Sequence, residues 1–231
     1  MKKKDAGGPE GSPPPLRKSR SARRREETRR RLMKAVYAAI AERGFRGLVI
    51  QSIAESADVG FGTFYNHFTT KEAAVGAVAV AAQEFLTRAF ERVTMPAGDG
   101  VEALALTLRL ILHLSKVDRE WGSFVVQMFL GGDSFRDELN FSLTQMLHAA
   151  IDGSDFNGTD LEVACDAAAG MLAAGSLRLI SGTALCNYEN EMLLAALKTF
   201  GVPDGKARAA LSKPFPDITP GSFLEANSIS Q

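Results

Sequence analysis

A short run of polar and aromatic side chains near residue 65 carries groups that pair well with nucleic acids. Between residues 61 and 67 the chain places two hydroxyls, an amide and an imidazole within about two helical turns. Such groups hydrogen-bond phosphate oxygens and base edges when a narrow helix presents them outward. The residues predicted to point outward are Phe61, Gly62, Thr63, Tyr65, Asn66 and His67.

Two short helices that meet at a sharp corner are predicted to position these side chains. Asp58 and Gly60 bracket the turn, and both residue types tolerate the left-handed backbone that a tight reversal needs. This arrangement is typical of a helix-turn-helix. The apolar residues of the first helix are Ile53, Ala54 and Ala57, and those beyond the break are Val59, Phe64 and Phe68.

Over roughly residues 29–82 the chain resembles the TetR family of bacterial transcriptional regulators. The chain departs from the family pattern at Leu48-Val49, where Thr or Ser is frequent, and at Asp58, where Gly is frequent. It also has Gly60-Phe61 where Ser followed by Lys or Arg is common. The matching residues are Ile53-Ala54, Ala57, Val59, Gly62-Thr63-Phe64-Tyr65, His67-Phe68 and Lys71-Glu72.

The resemblance implies a DNA-binding surface on the second helix and its flanks. Lys71 is expected to anchor the DNA backbone, and Phe61 either contacts a thymine methyl or, equally, packs against Tyr65 or the N-terminal arm. The residues expected to contact DNA are Gln51, Ser52, Phe61, Gly62, Thr63, Tyr65, Asn66, His67 and Lys71.

Charge is distributed unevenly along the chain, although the formal net charge is +0. Residues 1–31 contain twelve Lys or Arg against four Asp or Glu, and residues 32–231 contain fifteen against twenty-three. A basic segment beside a helix-turn-helix is typical of DNA contact. Residues 1–24 are also rich in Gly and Pro, which predicts a disordered basic arm. The alternative is a solvated tail that only aids solubility.

Apolar periodicity predicts an all-α chain of about nine helices. Residues 25–72 form the predicted three-helix DNA-binding domain, and the resemblance makes residues 73–212 a helical domain for effector binding and dimerisation. Residues 213–231 are predicted to form a flexible tail. The later helices are predicted over Lys71–Val93, Val101–Val117, Trp121–Leu130, a stretch beginning at Ser134, Asp160–Ile180 and Glu189–Phe200.

Two features of the C-terminal part have competing interpretations. An apolar stripe either packs in the core or, as the family resemblance implies, lines a pocket for a small, largely apolar effector. Asp160–Ile180 and Glu189–Phe200 occupy the place where the resembled family forms its dimer, and their small residues permit close helix approach. Packing within one chain explains the same pattern, but a homodimer interface is favoured because a helix-turn-helix reads a two-fold operator as a dimer. The candidate pocket residues are Trp121, Phe124, Val125, Met128, Phe129 and His113.

The residue types that commonly act in catalysis or bind metals form no recognisable site in the sequence. His67, His113 and His148 are scattered, and none has a second ligand at i+3 or i+4. We therefore expect no enzymatic activity, no cofactor and no metal. Cys165 and Cys186 lie in apolar patterns and are predicted to be buried hydrophobes, with a redox pair as the alternative.

The longest uncharged apolar run, Ala73–Ala82, is shorter than the roughly 20 residues that span a bilayer, so we expect a cytoplasmic protein without membrane contact.

The leading interpretation is a homodimeric, sequence-specific DNA-binding regulator, a repressor by resemblance, which a small effector releases from a palindromic operator. Two other classes remain open: a nonspecific DNA-binding protein that uses the basic arm, and an all-α enzyme that uses the C-terminal pocket.

Overall fold

The computed structural model describes residues 19–95, 97–130, 160–216, 218–220 and 223–226. In these ranges every regular element is a helix, so the all-α prediction is confirmed. The predicted helix that begins at Ser134 lies outside the described residues. The helices are α1 (Arg20–Arg43), a 3-10 turn (Phe45–Gly47), α2 (Ile50–Ser56), α3 (Phe61–Tyr65), α4 (Lys71–Thr94), α5 (Gly100–Val117), α6 (Arg119–Leu130), α7 (Leu161–Ile180), α8 (Tyr188–Thr199), α9 (Asp204–Leu211) and α10 (Phe223–Ala226).

Side-chain caps define the starts of several helices. Thr70 Oγ1 accepts a hydrogen bond from Ala73 N at 3.1 Å, and Asp160 Oδ1 accepts one from Glu162 N at 2.9 Å. These bonds satisfy backbone donors that have no partner inside the helix. Gly44 ends α1 with φ 69, a conformation that favours glycine.

The first helix begins earlier than the predicted boundary of the basic arm. The arm was expected to extend to residue 24, but α1 starts at Arg20 because Ser19 caps it, with Oγ accepting from Ala22 N at 3.2 Å. Five residues of the expected arm are therefore helical. The part of the arm over residues 1–18 lies outside the described residues.

Helix α5 lies at the centre of the C-terminal body and packs against α4, α6, α7, α8 and α9. Its buried face is almost entirely apolar, which is the main source of folding free energy in such a core. The polar exceptions are Glu102, Thr107 and Ser115. Ser115 Oγ donates to Ile111 O at 2.9 Å and lies 2.9 Å from Ser176 Oγ of α7. Because both hydroxyls are paired, their burial is tolerated.

Two helices meet the length and hydropathy criteria of membrane spans. The most apolar windows of α4 and α7 have mean hydropathies of 1.2 and 1.4. Core helices of soluble proteins meet the same criteria, and both helices pack into the body through one side. In α7 only 39% of the window is buried, so much of this apolar helix is exposed.

The described part of the C-terminal segment is anchored, in contrast to the predicted flexible tail over residues 213–231. Arg109 Nη1 donates to Lys213 O at 3.0 Å, and His113 Nε2 lies 3.0 Å from Ile218 O. Phe223 and Leu224 are buried against α1 and α4. The tail prediction fails over these residues because long-range contacts, which composition does not reveal, hold the segment on the body.

The close packing around Gly122 predicts that a single added methyl group will destabilise the body. A Cβ on Gly122 of α6 would lie 2.6 Å from Ile180 Cγ2 and 3.0 Å from the Ser115 backbone oxygen. Gly122→Ala is therefore expected to lower the free energy of unfolding by about 1–3 kcal/mol, measured by urea denaturation. Gly76→Ala in α4 is the matched control, since nothing lies within 4 Å of its Cβ position. This control should gain about 0.5–1 kcal/mol, and equal losses in both variants would contradict the explanation.

Candidate nucleic-acid interface

The turn between α2 and α3 makes the corner that orders the candidate interface. Asp58 adopts φ 51, and Val59 N donates to Ala54 O at 3.0 Å across the turn. Gly60 has φ −67, so it is extended rather than left-handed. Of the two residues that were expected to make the reversal, Asp58 alone adopts the left-handed backbone, at the position where the resembled family often has Gly.

The inner side of this unit is an apolar core, as predicted. Phe64 is 0% exposed and Phe68 is 3% exposed, with their ring centroids 5.7 Å apart. Ile53 and Ala54 of α2 pack in the same unit with relative exposures of 2% and 1%. Because these residues point inward, the remaining positions of α3 point to the surface.

The outer side of α3 carries two exposed aromatic residues. Phe61 and Tyr65 are 48% and 47% exposed, and their rings meet edge to face at 5.4 Å. The predicted packing of Phe61 against Tyr65 is therefore present, and it leaves much of both rings free. Gly62 and Asn66 are exposed beside them, with nothing within 4 Å of the Gly62 Cβ position.

The other residues predicted to contact DNA lie around this surface and differ in exposure. Gln51 is exposed, and its Nε2 donates to Glu55 Oε1 at 2.7 Å, so this amide has a partner within α2. Lys71 is half-buried at the first position of α4, where helix dipole and free N–H groups favour an anion. The remaining half-buried members are Ser52, Thr63 and His67.

The pKa of His67 is lowered from its usual value, first by burial and then by the positive charges of Arg25 and Arg29. The imidazole is therefore neutral at pH 7, with one nitrogen that donates and one that accepts. A neutral ring of this kind can hydrogen-bond either a phosphate oxygen or a base-edge donor.

Two arginines of α1 hold the helix-turn-helix in place, and sequence reasoning did not assign these roles. Arg29 Nη1 donates to His67 O at 3.1 Å, and its guanidinium lies 4.3 Å from the centroid of the Phe68 ring. Arg31 Nη2 donates to Asp58 O at 2.8 Å and to Asp58 Oδ2 at 2.9 Å. The density of arginine near residue 30 indicated only a basic segment. Their partners lie 27 and 38 residues away, beyond the reach of a local pattern.

The candidate pocket residues of the body are mostly core residues. Trp121 and Phe124 are 1% exposed, and Val125 and Met128 are also buried. None of these four lines a cleft of about 540 Å³ between α1 and α10 or a cleft of about 570 Å³ beside α8. His113 lines the second cleft, and the side chain of Phe129 lies outside the described residues.

The described residues contain no group of three or more His, Cys, Asp or Glu side chains that could hold a metal ion. Cys165 is buried, and burial first and the Asp166 charge second raise the pKa of its thiol to about 11. Cys186 is exposed in the connection between α7 and α8. The prediction of a buried Cys186 is therefore wrong, because α7 ends at Ile180 and leaves this residue outside the helical pattern.

Comparisons with known proteins agree with this geometry. A family model described as bacterial regulatory proteins, tetR family, matches residues 32–78. The solved structure of RolR in complex with resorcinol is 31% identical, covers 85% of this chain and 99% of its own chain, and has a TM-score of 0.62. RolR without ligand is 29% identical over 81% of this chain and 98% of its own, with a TM-score of 0.57.

A transcriptional regulator FadR from Bacillus subtilis, solved in complex with stearoyl-CoA, is similar in fold alone. It is 19% identical, covers 73% of this chain and 97% of its own, and has a TM-score of 0.57. No curated protein matches the sequence.

The contacts of Arg29 predict a contribution to stability in the absence of DNA. Arg29→Met keeps the aliphatic stem but removes both the hydrogen bond to His67 O and the cation over Phe68. We expect the free energy of unfolding to fall by about 1 kcal/mol. Arg24→Met, at an exposed position of the same helix, is the control and should stay within about 0.5 kcal/mol of the unmodified protein. Indistinguishable thermal unfolding of the two variants would refute the role of Arg29.

Proposed function

This chain belongs to the TetR family of bacterial regulatory proteins, and from that premise we propose that it is a homodimeric repressor released from a palindromic operator by a small effector. The observation that carries the proposal is the exposed face of α3. It presents Phe61 and Tyr65 outward while Phe64 anchors the same helix in the core.

Specific readout is supported by what the exposed face offers. The Tyr65 hydroxyl and the Asn66 amide can hydrogen-bond base edges, and the bare backbone at Gly62 allows close approach to the groove. A phosphate contact of Lys71 is supported by its position at the start of α4, where free N–H groups favour an anion. In this proposal α3 enters the major groove, and the flanking residues fix its register on the DNA backbone.

Dimerisation through α7 is supported by an exposed stripe along that helix. The stripe has Val163 at one end and Leu177 at the other, 59% and 45% exposed, with Asp166 and the small residues Gly170 and Ala174 between them. Spacings of three and four residues place its members on one face. Small residues in the middle let two helices approach closely, and apolar ends gain from burial. The members of the stripe are Val163, Asp166, Gly170, Ala174 and Leu177.

A small, largely apolar effector is supported by the aromatic composition of the body and by one relative. RolR, at 31% identity, was solved with resorcinol, a single-ring compound. In this chain Trp121, Phe124 and Phe85 form a cluster of rings behind α1. An effector that favours a dimer with wrongly spaced recognition helices would release the operator, and a differential affinity of a few kcal/mol suffices.

The first test is footprinting of the purified protein on DNA from beside its own gene, at about 0.15 M salt with nonspecific competitor DNA. A discrete footprint with two-fold symmetry is expected. Binding that competitor removes, with no footprint on selected random-sequence DNA either, would refute operator recognition and favour nonspecific binding through basic residues.

Replacing Tyr65 and replacing Lys71 are expected to have different effects on operator binding and on nonspecific DNA binding. Tyr65→Ala should weaken operator binding by about tenfold or more and leave nonspecific binding nearly unchanged, because it removes a base contact. Lys71→Ala should weaken both and reduce the slope of log affinity against log salt by about 0.9 per subunit. Fluorescence anisotropy over a salt series measures both effects, with Lys206→Ala on α9 as the control. Equal losses on all DNA for Tyr65→Ala would exclude its role in specificity.

A charged side chain introduced into the α7 stripe should make the two subunits of the proposed dimer dissociate. Leu177→Arg places a cation at the buried interface and is expected to raise the dimer dissociation constant by about a hundredfold or more, measured by sedimentation velocity. Val80→Arg on α4, where Val80 is 51% exposed, is the matched control and should remain dimeric. A dimeric Leu177→Arg variant would exclude this surface as the interface.

A further inference from the structure

The C-terminal helix α10 inserts one ring into the aromatic cluster behind α1. Phe223 is 3% exposed, and its ring centroid lies 5.1 Å from Tyr37, 5.2 Å from Trp121 and 6.2 Å from Phe85. These three partners belong to α1, α6 and α4. One side chain from the end of the chain therefore links the first helix of the DNA-binding unit to two helices of the body.

The same cluster contains a polar atom that Phe223 cannot satisfy. Trp121 is 1% exposed, and its Nε1 has no hydrogen-bond partner among the described residues. Buried N–H groups are nearly always paired, because an unpaired one forfeits its bond to water. A benzyl side chain offers no oxygen or nitrogen acceptor. A ligand ring carrying an oxygen could fill the same space and also accept this hydrogen bond.

The position of Phe223 is reachable from the surface. Phe223 and Leu224 line the cleft of about 540 Å³ together with Tyr37, whereas Trp121 does not line it. Phe223 therefore contacts both the open cleft and Trp121. Helix α10 has four residues, too few to be stable as an isolated helix, so its place depends on the burial of Phe223 and Leu224.

We propose that Phe223 occupies the site of an aromatic effector in the unliganded protein, and that the effector is a single-ring phenol whose oxygen accepts from Trp121 Nε1. The effector ring replaces Phe223, and α10 leaves the cluster. The link between α1, α4 and α6 is then made by the ligand instead of by the chain. The inference rests on the proposed function only in naming this ligand an effector, because the site itself is defined without DNA.

The affinity test uses the full chain, phenol as the probe and toluene as the probe without an oxygen, measured by calorimetry. Phe223→Ala removes the competing ring and should bind phenol at least about tenfold more tightly than the unmodified chain. Adding Trp121→Phe to this variant should weaken phenol binding about tenfold and change toluene binding less than about twofold. Val80→Ala on α4, where Val80 is 51% exposed and lines neither cleft, is the control and should resemble the unmodified chain.

Displacement of Phe223 by phenol can also be measured in the unmodified chain. Because Phe223 is 3% exposed, we expect chymotrypsin to cleave after it only when α10 leaves the cluster. Phenol should therefore accelerate this cleavage, which mass spectrometry detects. Trp121 is the only tryptophan of the chain, and its fluorescence should change over the same phenol concentrations. Phe223→Leu, which keeps an apolar side chain, serves in the affinity test if the alanine variant does not fold.

Three results would overturn the proposal. One is phenol binding that Phe223→Ala does not strengthen, and another is an equal loss of phenol and toluene on adding Trp121→Phe. The third is cleavage after Phe223 that phenol does not change. None of these measurements contains DNA, so failure of operator recognition would leave them unaffected, and a negative result here would leave operator recognition intact.

Discussion

The structure depends on α1 being buried on two sides at once. Leu32, Val36 and Ile40 are 0% exposed in the core that α1 shares with its neighbours, and Tyr37 packs on Phe124 of α6 at 5.0 Å. A helix of 24 residues is about 36 Å long and stiff over that length. Any change in how α6 holds α1 therefore reaches the helix-turn-helix, which α1 also contacts.

The helix-turn-helix is attached to α1 by a few polar contacts in addition to its apolar core. Arg29 and Arg31 reach the backbone oxygens of His67 and Asp58, at the two ends of the segment that contains α3. Guanidinium groups suit this task because their fixed donors reach carbonyl oxygens while the stem covers apolar surface. The orientation of α3 is thus tied to α1, and the basic residues beside the DNA surface also have a structural role.

Small residues have two different roles in the body. Some allow tight packing within the chain, and others lie in the exposed stripe on α7. Gly122 of α6 lets α6 approach α5 and α7 so closely that a Cβ would meet the Ser115 backbone. Gly170 on the exposed side of α7 has nothing within 4 Å of its Cβ position. The first glycine is required by contacts within the chain. The second permits a close approach from outside, which agrees with the dimer proposed for that face.

The sequence by itself determined most of the helices and the set of residues that points outward on α3. These features are encoded by residues within about four positions of one another, where periodicity and turn chemistry act. Only the tertiary structure decided the partners of Arg29 and Arg31, the burial of Trp121 in the core and the return of Phe223 to α1. Those contacts join residues that are tens of positions apart, such as Arg29 and His67 at a separation of 38, or more than a hundred apart, such as Tyr37 and Phe223. Packing between helices selects such pairs, and no local pattern records them.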